Sequence, residues 1–283
     1  MTTDLAAGVD LGAYLDRIGH RGGVAPTLDT LHALVAAHSR TIPFENLDPL
    51  LGVPVSDLGP AALADKLVYR RRGGYCYEHN GLMAFVLEQL GFGVERLAGR
   101  VVWMRQPDDD TLPALTHQIS AVTVPGTEGR FLVDVGFGGQ TPSSPIRLET
   151  DTVQHTRHEP YRVRAHGHGY RLEALIRQKW LPLYVFTLHP RPRIDLEVGS
   201  WYVSTYPSST FVVGLTAALV TDDARWNLRG RHLAVHRADG SEQTVFDTAD
   251  EVLETLSGRF GIDLDDLGDR AVVRARVDAV LDR

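Results

Sequence analysis

The spacing of apolar residues changes near Gly93, and this change constrains the fold more than any other feature of the sequence. Before Gly93, apolar residues recur at the spacing of amphipathic helices, as in Leu11, Tyr14, Leu15 and Ile18. After it, short segments rich in β-branched and aromatic residues alternate with clusters of Gly, Pro and Asp. We therefore predict a helical first part followed by antiparallel strands, in a barrel or a sandwich.

Local signals place several elements within this scheme. Thr27 is the predicted N-cap of a helix, and a further helix is predicted to begin near Cys76 and to end near Leu90, before two glycines. The segment PGTEG, residues 125–129, predicts a hairpin turn between two strands. The last eighty or so residues are mixed, and two closing helices are predicted, over about 248–259 and from about 265 to the end.

Composition and charge narrow the class of protein. The net charge is −7 and the pI is about 5.9, and without a basic stripe we expect no nucleic-acid partner. The first twenty residues lack a basic segment followed by a long apolar one, and no apolar run is long enough to span a bilayer. We expect a cytoplasmic protein that binds no membrane.

The chain has a single cysteine, Cys76. It excludes an internal disulfide and any zinc site that needs two thiolates, and we expect no metal. Gly73 and Gly74 precede it and are predicted to let the incoming backbone turn sharply, and a helix is predicted to begin at it. A helix N-terminus favours thiolate, and its N–H groups are candidate oxyanion donors. Cys76 is thus a candidate nucleophile; the alternative is a buried structural cysteine.

Two histidines are candidates for the base that such a nucleophile needs. His79 lies three residues after Cys76 on the same predicted helix, which leaves little room for a substrate, so a supporting role is favoured. His117 begins a predicted strand, and Asp134 lies on the next strand. A turn centred near residues 126–127 would bring Asp134 close to the level of His117, where a carboxylate orients an imidazole. The alternatives are a strand histidine and a turn or cap carboxylate.

Several motifs in a fixed order carry a resemblance to a known family. They are TIPFENL (41–47), RGGYCYEHN (72–80), Thr116-His117 and DVGFGG (134–139). Together they resemble the arylamine N-acetyltransferases, and the match is close to actinobacterial, mycobacterial-type members. It covers essentially the whole chain.

The resemblance implies an α+β fold with a helical bundle over residues 1–93, an antiparallel β-barrel over 94–205 and an α/β lid over 206–283. It implies a Cys-His-Asp triad made of Cys76, His117 and Asp134. It also implies transfer of acetyl from acetyl-CoA, through a cysteine thioester, to arylamines, arylhydrazines or N-hydroxyarylamines.

The same resemblance assigns the remaining site residues. The aromatic residues that match the acceptor pocket are Phe44, Phe137 and Phe211. Residues expected near the CoA arm are Thr116, Gly138 and Trp103. Glu45 and Arg72 match a charged pair that supports the cysteine loop. From spacing alone, the phenylalanines fit a core and the charged pair fits an ordinary surface pair.

The expected partners are acetyl-CoA and a small aromatic amine or hydrazine. The sequence leaves the oligomeric state open, with a homodimer among the options. Two other functions remain possible from the residues alone. The same triad would serve a cysteine-dependent amidase or peptidase-like hydrolase, and the fold would also serve as a non-catalytic module that binds CoA or an aryl ligand.

Overall fold

The computed structural model describes residues 8–105 and 111–282. Residues 1–7, 106–110 and 283, which belong to the predicted bundle, barrel and lid, lie outside the described residues. The first part is helical, as predicted. Its helices are α1 (Leu11–Arg17), α2 (Leu28–Thr41), α3 (Leu47–Leu50), α4 (Pro60–Ala64), which continues as a π-helical turn over Asp65–Tyr69, and α5 (Cys76–Gln89).

Helix α5 is the element around which the first part packs. Its side chains are buried without interruption from Cys76 to Ala84, which is typical of a helix enclosed by its neighbours. It packs against α4 and against two strands of the following sheet. The predicted start near Cys76 and end near Leu90 are confirmed. Thr27 is confirmed as the N-cap of α2, since its hydroxyl accepts a hydrogen bond from the Thr30 N–H.

A seven-stranded antiparallel sheet forms the middle of the chain and curves into a nearly closed barrel. In spatial order its strands are β5 (Ile146–Arg147), β4 (Phe131–Val133), β3 (His117–Thr123), β2 (Gly93–Val101), β8 (Lys179–Phe186), β7 (Gly169–Ile176) and β6 (Tyr161–His166). Its inner face holds a separate apolar cluster that includes Leu97, Ile119, Leu172 and Tyr184. The α+β class predicted from the sequence is therefore confirmed.

The hairpin between β3 and β4 has the predicted register. Ser120 pairs with Val133 and Val122 with Phe131, so the turn is centred between residues 126 and 127. A hairpin turn fixes which residues of its two strands face each other. This register carries Asp134, the residue after β4, back towards the start of β3 at His117.

Helix α6 (Arg193–Thr205) was not predicted. Its sequence, RIDLEVGSWYVST, is rich in β-branched and aromatic residues, which have low helix propensity. Tertiary packing outweighs this preference, since Leu196, Ser200 and Val203 are buried on one face. The helix follows Pro192, whose extended backbone suits the residue before a first turn.

A second antiparallel sheet is formed mainly by the last part of the chain. Its order is β1 (Phe44–Glu45), β9 (Thr216–Val220), β10 (Ala224–Arg229), β11 (His232–Arg237) and β12 (Gly240–Val245). The short strand β1 comes from the helical part, so this sheet is built from both ends of the chain. The short helix α7 (Thr210–Val213) precedes it; α8 (Ala249–Gly258) and α9 (Arg270–Asp278) follow. The last helix is shorter than predicted, because it begins only after its N-cap, Asp269.

No helix among the described residues has the length and apolar character needed to cross a membrane.

Candidate active site

The sulfur of Cys76 lies at the first turn of α5, and only 4% of this residue is exposed. Glu78 caps this end of the helix, since its Oε2 accepts a hydrogen bond from the Tyr75 N–H at 3.0 Å. The first N–H groups of a helix have no acceptor within the helix itself. Sγ lies 3.6 Å from the carbonyl oxygen of Thr116, which immediately precedes His117 on the neighbouring strand.

The glycines around Cys76 are required by close packing. A Cβ atom on Gly73 would lie 2.0 Å from the carbonyl oxygen of Pro43, and one on Gly136 would lie 2.9 Å from the Cα of Cys76. The sequence suggested that Gly73 and Gly74 supply a sharp turn. The left-handed backbone in this loop belongs instead to Arg71, with φ of 47°. The glycines let the 73–74 segment and the 134–139 segment approach their neighbours closely.

His117 is bound to Asp134, and both are buried. His117 Nε2 lies 2.7 Å from Asp134 Oδ2, and the sulfur of Cys76 is close enough to the imidazole to affect its pKa. Burial opposes a charge on the ring, but the Asp134 carboxylate and the sulfur outweigh it and raise the pKa of His117 to about 10. Burial likewise opposes the charge on Asp134, yet His117 lowers the pKa of this carboxyl. The pair therefore favours an imidazolium beside the sulfur.

Asn80 orients the carboxylate from the other side. Its Nδ2 donates to Asp134 Oδ1 at 2.9 Å and to the Gln118 carbonyl at 2.7 Å, and its Oδ1 accepts from the Val135 N–H at 2.9 Å. Asp134 Oδ1 also accepts from the Gly136 N–H at 3.0 Å. One helical side chain thus ties both barrel strands to α5 and fixes which oxygen of Asp134 meets the imidazole.

His79 is turned away from the sulfur, although it is the histidine nearest to Cys76 in sequence. Its Nδ1 lies 2.9 Å from His38 Nε2, and its Nε2 lies 3.1 Å from the Pro43 carbonyl oxygen. Burial lowers the pKa of His79 to about 4, so the ring is neutral. Both ring nitrogens are engaged elsewhere, which agrees with the predicted supporting role.

A cavity of about 520 Å³ opens onto Cys76 and His117. The predicted acceptor-pocket and CoA-arm residues all line it: Phe44, Phe137, Phe211, Trp103, Thr116 and Gly138. The ring of Phe137 meets His117 edge-on with 5.1 Å between centroids, and Phe44 lies 5.9 Å from Phe211. These phenylalanines also contact the apolar cores, so they serve both as packing and as cavity wall.

A thiol, an imidazole and a carboxylate beside an aromatic cavity narrow the class of protein, and the comparisons with known proteins decide the family. The family model for N-acetyltransferases matches residues 27–268. An arylamine N-acetyltransferase of Mycolicibacterium smegmatis is 66% identical over 97% of this chain and 99% of its own length. The structure of the M. smegmatis enzyme covers 97% of this chain and 100% of its own, with a TM-score of 0.94.

The chain belongs to the arylamine N-acetyltransferase family. A further similar structure is the Mycobacterium marinum arylamine N-acetyltransferase in complex with CoA. It is 59% identical, covers 96% of this chain and 99% of its own, and has a TM-score of 0.94. The family and the mycobacterial-type resemblance predicted from the motifs are both confirmed.

The sequence did not predict several residues at the site of this arylamine N-acetyltransferase family member. Asn80 lies within the RGGYCYEHN motif, but nothing in the motif indicates that its amide reaches two strands of the barrel. Asn227, Arg229 and His236 line the cavity from the second sheet. They lie over a hundred residues from Cys76, so no local signal connects them to it. Among the described residues that line the cavity there is no carboxylate, whereas Arg229 brings a positive charge.

The predicted pair of Glu45 and Arg72 is present, and it is buried rather than a surface pair. Arg72 Nη2 lies 2.8 Å from Glu45 Oε1 and 2.9 Å from Asp48 Oδ1. Lys66 Nζ lies 2.6 Å from both Asp48 Oδ2 and Glu78 Oε1, which links this network to the N-terminus of α5. Burial raises the pKa of Asp48, but Lys66 and Arg72 outweigh it and lower this pKa to about 2.

We expect Arg72→Met to lower the free energy of unfolding by about 3–5 kcal/mol, because it leaves Glu45 and Asp48 partly uncompensated in the interior. Urea titration followed by tryptophan fluorescence measures this loss. The matched control is Arg40→Met, which removes an exposed ion pair with Asp222 and should cost less than about 1 kcal/mol. Equal losses in the two variants would show that the buried network does not support the cysteine loop.

The low pKa of His79 predicts an acid-sensitive contribution to stability. An unfolded histidine binds a proton near pH 6.5, whereas the folded ring does so only near pH 4. The contribution of neutral His79 to the free energy of unfolding is therefore fully present above pH 6.5. As the pH falls towards 4, the free energy of unfolding decreases by up to about 3 kcal/mol. His79→Gln should flatten the decline of unfolding free energy across this window. An unchanged slope would contradict the assignment of a buried, neutral His79.

Proposed function

We propose that this chain transfers acetyl from acetyl-CoA to arylamines, arylhydrazines or N-hydroxyarylamines, through a thioester on Cys76. The observation that carries the proposal is that Cys76 and His117 line the same cavity and that His117 is hydrogen-bonded to the buried Asp134. The curated relatives at high identity are described as arylamine N-acetyltransferases, and a relative at 34% identity is also described as an N-hydroxyarylamine O-acetyltransferase.

In the first half-reaction the Cys76 sulfur attacks the carbonyl carbon of acetyl-CoA. The imidazolium of His117 stabilises the thiolate before the attack, and Asp134 stabilises the imidazolium. A bond forms between sulfur and the acetyl carbon, and the bond to the CoA sulfur breaks. CoA leaves as its thiol once it takes the proton of His117, so the imidazole becomes neutral.

In the second half-reaction the amine attacks the acetyl-enzyme. Neutral His117 removes the proton that the nitrogen loses, and the Cys76 thiolate leaves. The imidazolium beside the thiolate is restored, so the enzyme returns to its starting state. Because CoA departs before the amine reacts, the proposed kinetics are ping-pong.

The cavity suits a flat acceptor. Phe44, Phe137 and Phe211 give it aromatic walls close to the triad, and such walls favour aryl groups while limiting access of water to the thioester. Asn46 fixes one of these walls, since its Nδ2 donates to the carbonyl oxygens of Phe211 and Gly214 at 2.8 and 2.7 Å.

The acyl donor fits the same cavity. Trp103, Thr116 and Gly138 line the cavity, and Arg229 and His236 line it as well. The absence of carboxylates among the described lining residues, together with Arg229, suits the phosphates of CoA.

By this proposal the three parts of the chain have different roles: residues 1–93 carry the thiol, 94–205 carry the base and its carboxylate, and 206–283 complete the cavity. Acetyl-CoA is the co-substrate, and we expect the protein to act in the cytoplasm without a metal.

The proposal is tested by the fate of the acetyl group. We incubate the protein with acetyl-CoA, with and without an aryl hydrazine, and measure acetyl-hydrazine and free acetate by chromatography. Acetyl-hydrazine should form much faster than acetate, and free CoA should appear at the same rate. Release of acetate at a rate that does not depend on the hydrazine would identify a hydrolase. If neither acetate nor acetyl-hydrazine forms, the protein is a binding module.

A further inference from the structure

Arg225 is a fully buried arginine that the mechanism above does not use. It lies on β10 of the second sheet and is 1% exposed, and it is not among the residues that line the cavity. Its Nε lies 3.0 and 2.8 Å from the two carboxylate oxygens of Glu159, and its Nη2 lies 2.6 Å from Glu159 Oε2. A buried charge of this kind is costly unless all its donors are engaged.

The remaining donors of Arg225 hold a backbone segment of the barrel. Nη1 donates to the carbonyl oxygens of Gly139 and Thr141 at 3.3 and 2.9 Å, and Nη2 donates to the hydroxyl of Tyr161 at 3.1 Å. The Tyr161 hydroxyl in turn donates to the carbonyl oxygen of Gln140 at 3.0 Å. Three consecutive carbonyl oxygens, at 139, 140 and 141, are thus bound by one guanidinium and one phenol.

That segment forms a wall of the cavity. Residues 137–140 all line it, and the ring of Phe137 meets the imidazole of His117 edge-on. Gly139 also lies against β10, since a Cβ atom there would come within 2.5 Å of Asn227 Oδ1. Arg225 and Asn227 are two residues apart on a strand and therefore face the same side. Strand β10 of the second sheet thus contacts this segment through both Arg225 and Asn227.

We propose that Arg225, together with Tyr161, is a positioning residue that sets the distance between the Phe137–Gln140 wall and the triad, and so determines how tightly the aryl acceptor and the acyl donor bind. The inference rests on the proposed function and extends it to residues remote from the reacting atoms. Neither side chain is placed in contact with a substrate. Their effect passes through the backbone carbonyls that they hold.

Only an arginine satisfies this geometry. A guanidinium has a planar array of five N–H donors, which matches a carboxylate on one edge and two carbonyls on the other. A lysine keeps the charge but presents one nitrogen atom, so it would pair with Glu159 and release the segment. Arg225→Lys therefore separates the charge from the positioning role, and Tyr161→Phe releases Gln140 while leaving the pair of Arg225 and Glu159 intact.

The experiment measures acetyl transfer by the two variants and by their double variant. We expect Arg225→Lys to raise the KM for the aryl acceptor about tenfold, and Tyr161→Phe several-fold, because small displacements of a cavity wall weaken productive binding. The rate of alkylation of Cys76 by iodoacetamide should stay within about twofold of wild type, since this small reagent does not need the wall. The double variant should raise KM by less than the product of the single effects, because both residues hold one segment.

The matched control is Arg231→Lys. Arg231 also pairs with a carboxylate, Asp282, and donates to a backbone carbonyl, that of Phe246 at 2.9 Å, but it does not line or hold the cavity. Its KM should equal that of wild type. A lowered unfolding midpoint with unchanged KM in Arg225→Lys and Tyr161→Phe would overturn the inference, leaving a purely structural cluster. If wild type itself transfers no acetyl, the proposed function fails instead.

Discussion

Cys76→Ser is expected to abolish acetyl transfer, with a loss of at least about 10³-fold in kcat/KM. A serine hydroxyl does not ionise beside the His117 imidazolium as a thiol does, so the nucleophile of the first half-reaction is lost. Serine differs from cysteine by one atom, and the Thr116 carbonyl that accepts from the thiol is available to its hydroxyl, so the fold should survive. The measurement is the initial rate of CoA release with an aryl hydrazine as acceptor.

Two controls make this result specific. Iodoacetamide should label wild type once, at Cys76, the only cysteine of the chain, and acetyl-CoA should protect against labelling. The melting temperature of Cys76→Ser should stay close to that of wild type, which excludes unfolding as the cause. A serine variant that retains wild-type turnover would show that Cys76 is a structural cysteine.

Asp134→Asn is expected to lower kcat by about 10³–10⁴-fold while leaving the fold in place. The asparagine oxygen can still accept from Asn80 and from the Gly136 N–H, as Asp134 Oδ1 does. Its amide would then face His117 Nε2 as a donor and force the proton onto the other ring nitrogen, where the sulfur needs an acceptor. The pKa of His117 would also fall, because the carboxylate that raises it is removed.

The comparison with His79→Gln distinguishes this role from general stabilisation. His79 is as buried as His117 but is engaged with His38 and Pro43. Its replacement should alter stability and leave a folded, active enzyme at neutral pH. Steady-state rates of acetyl transfer for both variants, measured well below their melting temperatures, provide the test. An inactive His79→Gln with an active Asp134→Asn would reassign the base.

Local signals in the sequence were sufficient to predict the parts of the site that lie on adjacent elements. The centre of the PGTEG turn fixes the register of two strands, and the register brings His117 to Asp134. The glycines and the helix start located Cys76 at the N-terminus of α5. Both inferences used contacts between neighbouring segments, for which spacing along the chain is informative.

Contacts between distant segments could not be predicted in this way. Arg225 reaches Glu159 and residues 139–141, and nothing in DDARWNL distinguishes this arginine from one on the surface. Strand β1 joins a sheet formed otherwise by residues after 215. Helix α6 was missed because its β-branched and aromatic residues favour a strand, and only its packing against the helical part selects the helix.

The most direct test of the central claim is the intact mass of the protein after brief exposure to acetyl-CoA alone. We predict that wild type gains the mass of one acetyl group, located on Cys76 by peptide mapping, and that an aryl hydrazine then removes it with formation of the acetylated hydrazine. Cys76→Ser should gain no mass under the same conditions. An unmodified wild-type protein that still transfers acetyl, or an acetyl group on any other residue, would contradict the account.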